Sequence, residues 1–190
     1  MSALKQKLPN YLTILRVALI PFLLLSFYFE KGEIKIISTV IFLIASLSDF
    51  FDGYLSRKWN ATSRFGTMLD PIADKLLITT ALCLIITEET WLVFPTIIII
   101  CREIFISGLR EFLGKNNDVE IPVTELAKWK TASQMLSVTL LLLTSGNIGG
   151  TNVAINVLYY IGCIVFWLSA GLTLYTGYIY FISAKRQKLI

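Results

Sequence analysis

"SDFFDGYLSRKWNATSRFGTMLDPIADK", Ser48–Lys75, carries four aspartates, Asp49, Asp52, Asp70 and Asp74, between two apolar runs. The run before it, Ile36–Ser48, is 13 residues, about 20 Å of helix at 1.5 Å per residue. The run after it, Leu76–Thr87, is 12 residues, about 18 Å of helix. The hydrocarbon core of a bilayer is about 30 Å thick. Neither run crosses it alone, and each reaches full length only by taking in its aspartates. The carboxylates are therefore expected at the edge of the bilayer, facing a polar cavity. Ionisable groups inside a membrane usually mark a functional site.

The wider composition agrees. The chain of 190 residues is 55% hydrophobic and only 16% charged, where a soluble domain carries about 25% charged residues. Besides the two short runs, apolar segments cover Tyr11–Phe29, a stretch from Trp91 past Arg102 and Glu103, Thr131–Ser145 and Val153–Ile182. The fold class predicted is an all-α integral membrane protein, a single domain over residues 1–190. It has six transmembrane helices and a polar cavity open to the cytoplasmic side. Lys5 and Lys7 before the first apolar stretch superficially fit an export leader. Five more apolar segments follow with no polar domain to export, so that stretch reads as a span that stays in place. "TSGNIGGTN" (Thr144–Asn152) reads as the turn between the fifth and sixth spans.

With six spans both termini share one side. That side holds Lys5, Lys7, Arg57, Lys58, Arg64, Lys115, Lys128, Lys130, Lys185, Arg186 and Lys188, whereas the other loops hold only Lys31 and Lys35. Excess Lys and Arg mark the cytoplasmic side, so the termini and the aspartate segment are placed there. There is no histidine, which removes the commonest general base and nitrogen ligand. Cys83, Cys101 and Cys163 stand singly in apolar runs and read as small buried hydrophobes, not as a disulfide framework or zinc site. Any metal site must then be built from oxygen ligands.

Asp49 and Asp52 are three apart, about 60° around a helix, and Asp70 and Asp74 are four apart, about 40°. Each pair lies on one face, and a short connection makes the two helices antiparallel neighbours at one depth. Four converging carboxylates repel one another unless a cation intervenes. Oxygen-only ligands suit Mg²⁺, Mn²⁺ or Ca²⁺, and four carboxylates suffice for two ions, as in phosphoryl displacement. Gly53 and Gly66 allow close approach of a ligand to the backbone. Arg57 is in reach of phosphate oxygens. Taken singly these residues have plainer readings. Asp70–Pro71 fits an N-cap followed by proline at the first helical position, Asp49 and Asp52 fit the end of a span, and the glycines fit turns. The combination is what points to a phosphate ligand.

That combination, Asp49-x-x-Asp52-Gly53-x-x-Ser56-Arg57, eight residues, Gly66, three residues, Asp70, three residues, Asp74, resembles the signature of the CDP-alcohol phosphotransferases, six-span membrane enzymes. Ser56 departs from it, since the family usually has Ala there. The resemblance implies transfer of a substituted phosphate from a CDP-linked donor to an alcohol, with release of CMP. It implies Mg²⁺ or Mn²⁺ held by Asp49, Asp52, Asp70 and Asp74, with Asp74 also the general base. It further implies a CDP pocket lined by Gly53, Ser56, Arg57 and Gly66, and a homodimer in the bacterial inner membrane. "PNYLTILRVALIPF", "CREIFISGLREFL" and "AKWKTASQM" resemble the bacterial branch whose donor is CDP-diacylglycerol and whose acceptor is sn-glycerol 3-phosphate. Ala127 departs from that branch, which often has Gly.

An acceptor with its own phosphate needs a second basic cluster, for which Arg110, Lys128, Lys130 and Arg102 are the candidates. The lysines also fit anchoring of the cytoplasmic end, and Arg102 also fits a structural ion pair beside Glu103. Arg16 is expected to face the cavity, because a lipid-facing arginine is costly. Other acceptors (serine, inositol phosphate, a second phospholipid) and a cation transporter remain as alternatives. Against the transporter, nothing acidic continues the path through the apolar runs and no inverted repeat is evident. Nothing in the pattern calls for a nucleic acid.

Overall fold

The computed structural model describes the backbone of residues 3–30, 35–59, 64–117, 125–145 and 151–186, and side chains for most of these from residue 11 to residue 185. The described residues form six α-helices: α1 (Ala3–Phe29), α2 (Ile36–Trp59), α3 (Arg64–Glu88), α4 (Val93–Asn117), α5 (Glu125–Thr144) and α6 (Val153–Arg186). A 3₁₀ turn, Thr90–Leu92, leads into α4. Residues 146–150, most of the expected turn before α6, lie outside the described residues.

The helices outrun the apolar stretches that announce them. α2 has 24 residues and continues through Asp49 and Asp52, about 36 Å in all. α3 has 25 and begins at Arg64, six positions before Asp70. Pro71 therefore lies inside α3 and Asp70 is not its N-cap, which corrects the plainer reading of that dipeptide. Pro71 has no N–H to give the carbonyl four residues back, a cost borne in the first turns of the helix. α5 starts six residues before the apolar run at Thr131, because Lys128 and Lys130 are good helix formers.

By length and composition α1, α4 and α6 can each cross a membrane, and Ile36–Asp49 is a shorter apolar helix. The outer surface matches a lipid solvent. Phe22, Leu25, Ile37, Ile97, Ile164 and Leu168 all point outward. Such a continuous apolar exterior is a liability in water. Hydroxyls inside the helices donate back to their own chain, as Thr39 does to the Lys35 carbonyl and Thr139 to that of Met135. This satisfies them where no water competes.

α3 is the central element. It packs on α1, α2, α4 and α5, while α6 lies against α5 and α4. It contributes Leu77, Ile78, Ala81, Leu82, Leu84 and Ile85 to a core completed by Leu23, Phe42, Val138, Leu142, Phe166 and Ala170. The expected burial of all three cysteines is corrected: Cys163 is buried, but Cys83 and Cys101 are exposed. On a helix facing lipid both sides are apolar, so a cysteine in an apolar run carries no mark of which way it points.

The end remote from the aspartates is tied by charge. The Lys35 ammonium lies 2.8 Å from Glu88 Oε1 and 3.5 Å from the centre of the Phe27 ring. The Lys35 N–H donates to the Leu143 carbonyl at 2.9 Å, joining the start of α2 to the end of α5. Glu89 is buried and its Oε2 accepts from the Tyr159 hydroxyl (2.7 Å) and Trp91 Nε1 (3.1 Å). Glu30 caps α2 from outside the helix, its carboxylate accepting the N–H groups of Ile37 (2.8 Å) and Ser38 (3.1 Å) and the Ser38 hydroxyl (2.8 Å).

Partial burial pushes the Glu30 pKa up, but the donors from Ile37 and Ser38 outweigh it and hold the carboxyl below its ordinary value of 4.5. A carboxylate so depressed stabilises the fold above its unfolded pKa and loses that contribution as pH falls through the folded value. Glu30→Gln is expected to cost about 1 kcal/mol near neutral pH, the usual size of a helix cap. Thermal unfolding of the two proteins in detergent should show their gap closing as the pH is lowered below 4.5. A gap that persists unchanged in acid would contradict the capping role.

Candidate active site

Three of the four aspartates meet on α1. Thr13 and Arg16 are one turn apart on its inner face, and both are buried, Arg16 with no exposed surface. Arg16 Nη2 lies 2.8 Å from Asp49 Oδ1 on α2, and its Nη1 lies 3.6 Å from Asp74 Oδ1 on α3. The Thr13 hydroxyl donates to Asp70 Oδ1. Arg16 was expected to turn away from lipid, and it is buried against the carboxylates of α2 and α3. Its link to two particular carboxylates was not expected. The signal available for that was an arginine inside an apolar span with aspartates at matching depth on the next two helices.

The Asp49 and Asp74 side chains are 38% and 47% exposed, so they open outward while Arg16 holds them from behind. Asp52, Gly53, Ser56 and Arg57 belong to the last turns of α2, and Gly66 to the first turn of α3. Their side chains lie outside the described residues. Among the described residues no three acidic or cysteine side chains stand together as a ready metal-binding group. The donor chemistry nonetheless fits a hard divalent cation, since every available ligand atom is a carboxylate or hydroxyl oxygen.

A second charged cluster surrounds Glu103 on α4. The Lys130 ammonium on α5 donates to Glu103 Oε1, and Arg102 Nη1 lies 3.2 Å from the same oxygen. Arg102 Nη2 also donates to Thr176 Oγ1 on α6 at 3.2 Å. Gly177 makes room for it: a Cβ there would stand 3.0 Å from Arg102 Cγ and 3.2 Å from its Nε. Lys130 is buried, whereas Arg110 is exposed with its guanidinium 5.2 Å above the Tyr180 ring. Lys128 is exposed as well. Of the four basic candidates for an acceptor phosphate, then, Arg102 and Lys130 are drawn together by Glu103, and Arg110 and Lys128 stand toward the surface.

The two clusters are neighbours. Lys75, next to Asp74, reaches from α3 to the Ser107 hydroxyl on α4, one turn beyond Glu103. Neither Glu103 as a shared anion nor Lys75 as a strut was singled out from sequence. A single acidic residue beside Arg102 and a lysine beside Asp74 both look like ordinary helix charges until the helices pack.

Comparison with known proteins converges on one group. A model of the CDP-alcohol phosphatidyltransferase family matches residues 6–175, which include both clusters except Thr176, Gly177 and Tyr180. The CDP-diacylglycerol–glycerol-3-phosphate 3-phosphatidyltransferase of Rickettsia bellii (strain RML369-C) is 42% identical over 181 residues, covering 95% of this chain and 97% of that one. The protein of the same name from Haemophilus influenzae is 43% identical over 165 residues, 85% of this chain and 88% of its own. That from Salmonella choleraesuis is 39% identical over 189 residues, 96% and 97%.

Breaking the Glu103 cluster should be costly. Glu103→Gln strands the buried Lys130 ammonium and is expected to destabilise the protein by about 3 kcal/mol, the usual loss when one partner of a buried pair is removed. Adding Lys130→Met should recover part of the loss, because of the two cations on Glu103 only the Arg102 guanidinium is then left without its carboxylate. Melting temperatures of the two variants decide it, and a double variant no more stable than the single one would contradict the pairing.

Proposed function

We propose that this chain, which belongs to the CDP-alcohol phosphatidyltransferase family, transfers the phosphatidyl group of CDP-diacylglycerol to sn-glycerol 3-phosphate, giving phosphatidylglycerophosphate and CMP. The near-complete coverage by relatives with that printed activity carries the reading. The contacts of Asp49 and Asp74 with Arg16 and of Asp70 with Thr13, which bring the three aspartates to one face of α1, support it. The chain acts as one domain over residues 1–190. It spans the bacterial inner membrane six times, with both termini and the aspartate end in the cytoplasm, where its basic residues are concentrated.

Asp49, Asp52, Asp70 and Asp74 would hold the Mg²⁺ or Mn²⁺, as two ions. When bound, such ions neutralise the donor diphosphate and the charge growing on the CMP oxygen. Arg57 pairs with a donor phosphate, and Gly53, Ser56 and Gly66 leave room for the nucleotide. Asp74 takes the proton from the acceptor hydroxyl as its oxygen bonds to the phosphatidyl phosphorus. The bond from that phosphorus to the bridging oxygen breaks, and CMP leaves with the electron pair. A chain without histidine has an aspartate as its available base at this site.

The acceptor's phosphate is received by the basic cluster of Arg110, Lys128, Lys130 and Arg102. Glu103 offsets part of that charge and keeps Arg102 and Lys130 in place. The donor's acyl chains stay in lipid along the apolar exterior while its headgroup enters the polar end. Two copies assemble into a homodimer, as the family resemblance implies.

Purified protein given CDP-diacylglycerol, Mg²⁺ and one acceptor at a time should release CMP with glycerol 3-phosphate. Release with serine alone would overturn the acceptor, and no release with any acceptor would overturn the enzyme. Asp74→Asn should lower turnover by about 10²–10⁴-fold, the usual worth of a general base, with donor binding little changed. Arg110→Ala should mainly raise the KM for glycerol 3-phosphate, and an unchanged KM would remove Arg110 from the phosphate site.

A further inference from the structure

We propose that Arg16 is a resident counter-ion of the aspartate site: it stabilises the site without metal and competes with the metal for the same carboxylate charge. The inference rests on the reading of Asp49, Asp70 and Asp74 as metal ligands. It goes beyond that reading by assigning a role to a residue of α1, outside the aspartate signature.

The geometry carries it. A guanidinium with no exposed surface is stable only beside anions. Two of its anions among the described residues belong to different helices, Asp49 at 2.8 Å on α2 and Asp74 at 3.6 Å on α3, reached by two different nitrogens. α1 packs against both helices, and Arg16 adds an ionic tie from it to the middle of α2 and of α3. Thr13, one turn away, holds Asp70 on the same wall. Without such a cation the negative charges of Asp49 and Asp74 would oppose the packing of α2 and α3 at this depth whenever metal is absent. Lys75 does not do this job, because its ammonium is directed at Ser107.

Charge points the same way. Arg16 offsets one of the negative charges that the aspartates bring to the site. Removing Arg16 raises the negative charge of the metal-free site and makes it a stronger attractor for the ion, while the metal-free fold loses its tie. A planar fork that meets two carboxylates at once is also something a lysine does not reproduce, so charge and shape separate by substitution.

The test uses the full-length protein in detergent, stripped with EDTA and then titrated with Mn²⁺. Thermal unfolding and the electron paramagnetic resonance signal of free Mn²⁺ are followed for wild type, Arg16→Met and Arg16→Lys. Arg16→Met should melt lower in EDTA, show a larger Mn²⁺-induced rise than wild type, and bind Mn²⁺ more tightly by on the order of tenfold, the half-exposed carboxylates moderating the effect. Its turnover at saturating Mn²⁺ should remain low, because the carboxylates are no longer held in place. Arg16→Lys should keep a Mn²⁺ affinity close to wild type yet melt lower in EDTA.

An equal Mn²⁺-induced rise in wild type and Arg16→Met, or weaker Mn²⁺ binding by that variant, would overturn the counter-ion role and leave Arg16 a packing residue. If Arg16→Met does not fold, Arg16→Lys decides: a wild-type melting temperature in EDTA would overturn the proposal. A wild-type protein that neither binds Mn²⁺ nor melts higher with it would fail at the metal reading instead, and the proposal would fall with it.

Discussion

A guanidinium entirely removed from solvent sets the geometry of the aspartate end. Arg16 cannot be buried without anions, and Asp49 and Asp74 cannot approach each other without a cation. Each solves the other's problem, and the solution requires α1 to lie against both α2 and α3 with its inner face at one depth. Thr13 follows one turn away and reaches Asp70. The helix that carries none of the aspartate signature thereby decides how the signature is arranged.

From that junction the rest of the bundle can be followed outward. α3 leaves the junction with its aspartates and continues as the central helix of the apolar core. Lys75 crosses from it to α4, where Glu103 gathers Arg102 and Lys130 and so brings in α5 and α6. At the opposite end Lys35 joins α2 to α3 and α5, and Glu89 joins the start of α4 to α6. In a lipid solvent apolar side chains gain little by leaving their surroundings for one another, so packing contacts and these polar ties share the task of choosing which helices touch. Several of these polar ties join helices that are not neighbours in the chain.

Two charged clusters held side by side suit a reaction with two phosphate-bearing substrates. The aspartate end is acidic and needs cations, whereas the Glu103 cluster is basic and offers them. Lys75, bonded to Ser107, stands between the two. In the proposed reaction the donor diphosphate and the acceptor phosphate would go to sites of different character, so the two anions would not compete for one place.

Much of this was legible in the chain itself. The lengths of the runs around Ser48–Lys75 required helices that include their aspartates, and α2 and α3 do so. The spacing of the aspartates and glycines indicated the chemistry, because period and offset along a helix are local properties. What failed was local inference about direction. Asp70–Pro71 looks like a helix start but lies inside α3, and Cys83 and Cys101 look buried but face outward. In a chain whose solvent is lipid, the core-facing and outward-facing sides have the same composition, so no sequence pattern separates them. Sequence by itself therefore determined that the protein is helical and membrane-like, and which residues bear the charge. Only the tertiary structure decided that Arg16 serves Asp49 and Asp74 and that Glu103 serves Arg102 and Lys130. The physical reason is that ion pairs depend on distances across helices, which spacing along the chain does not encode.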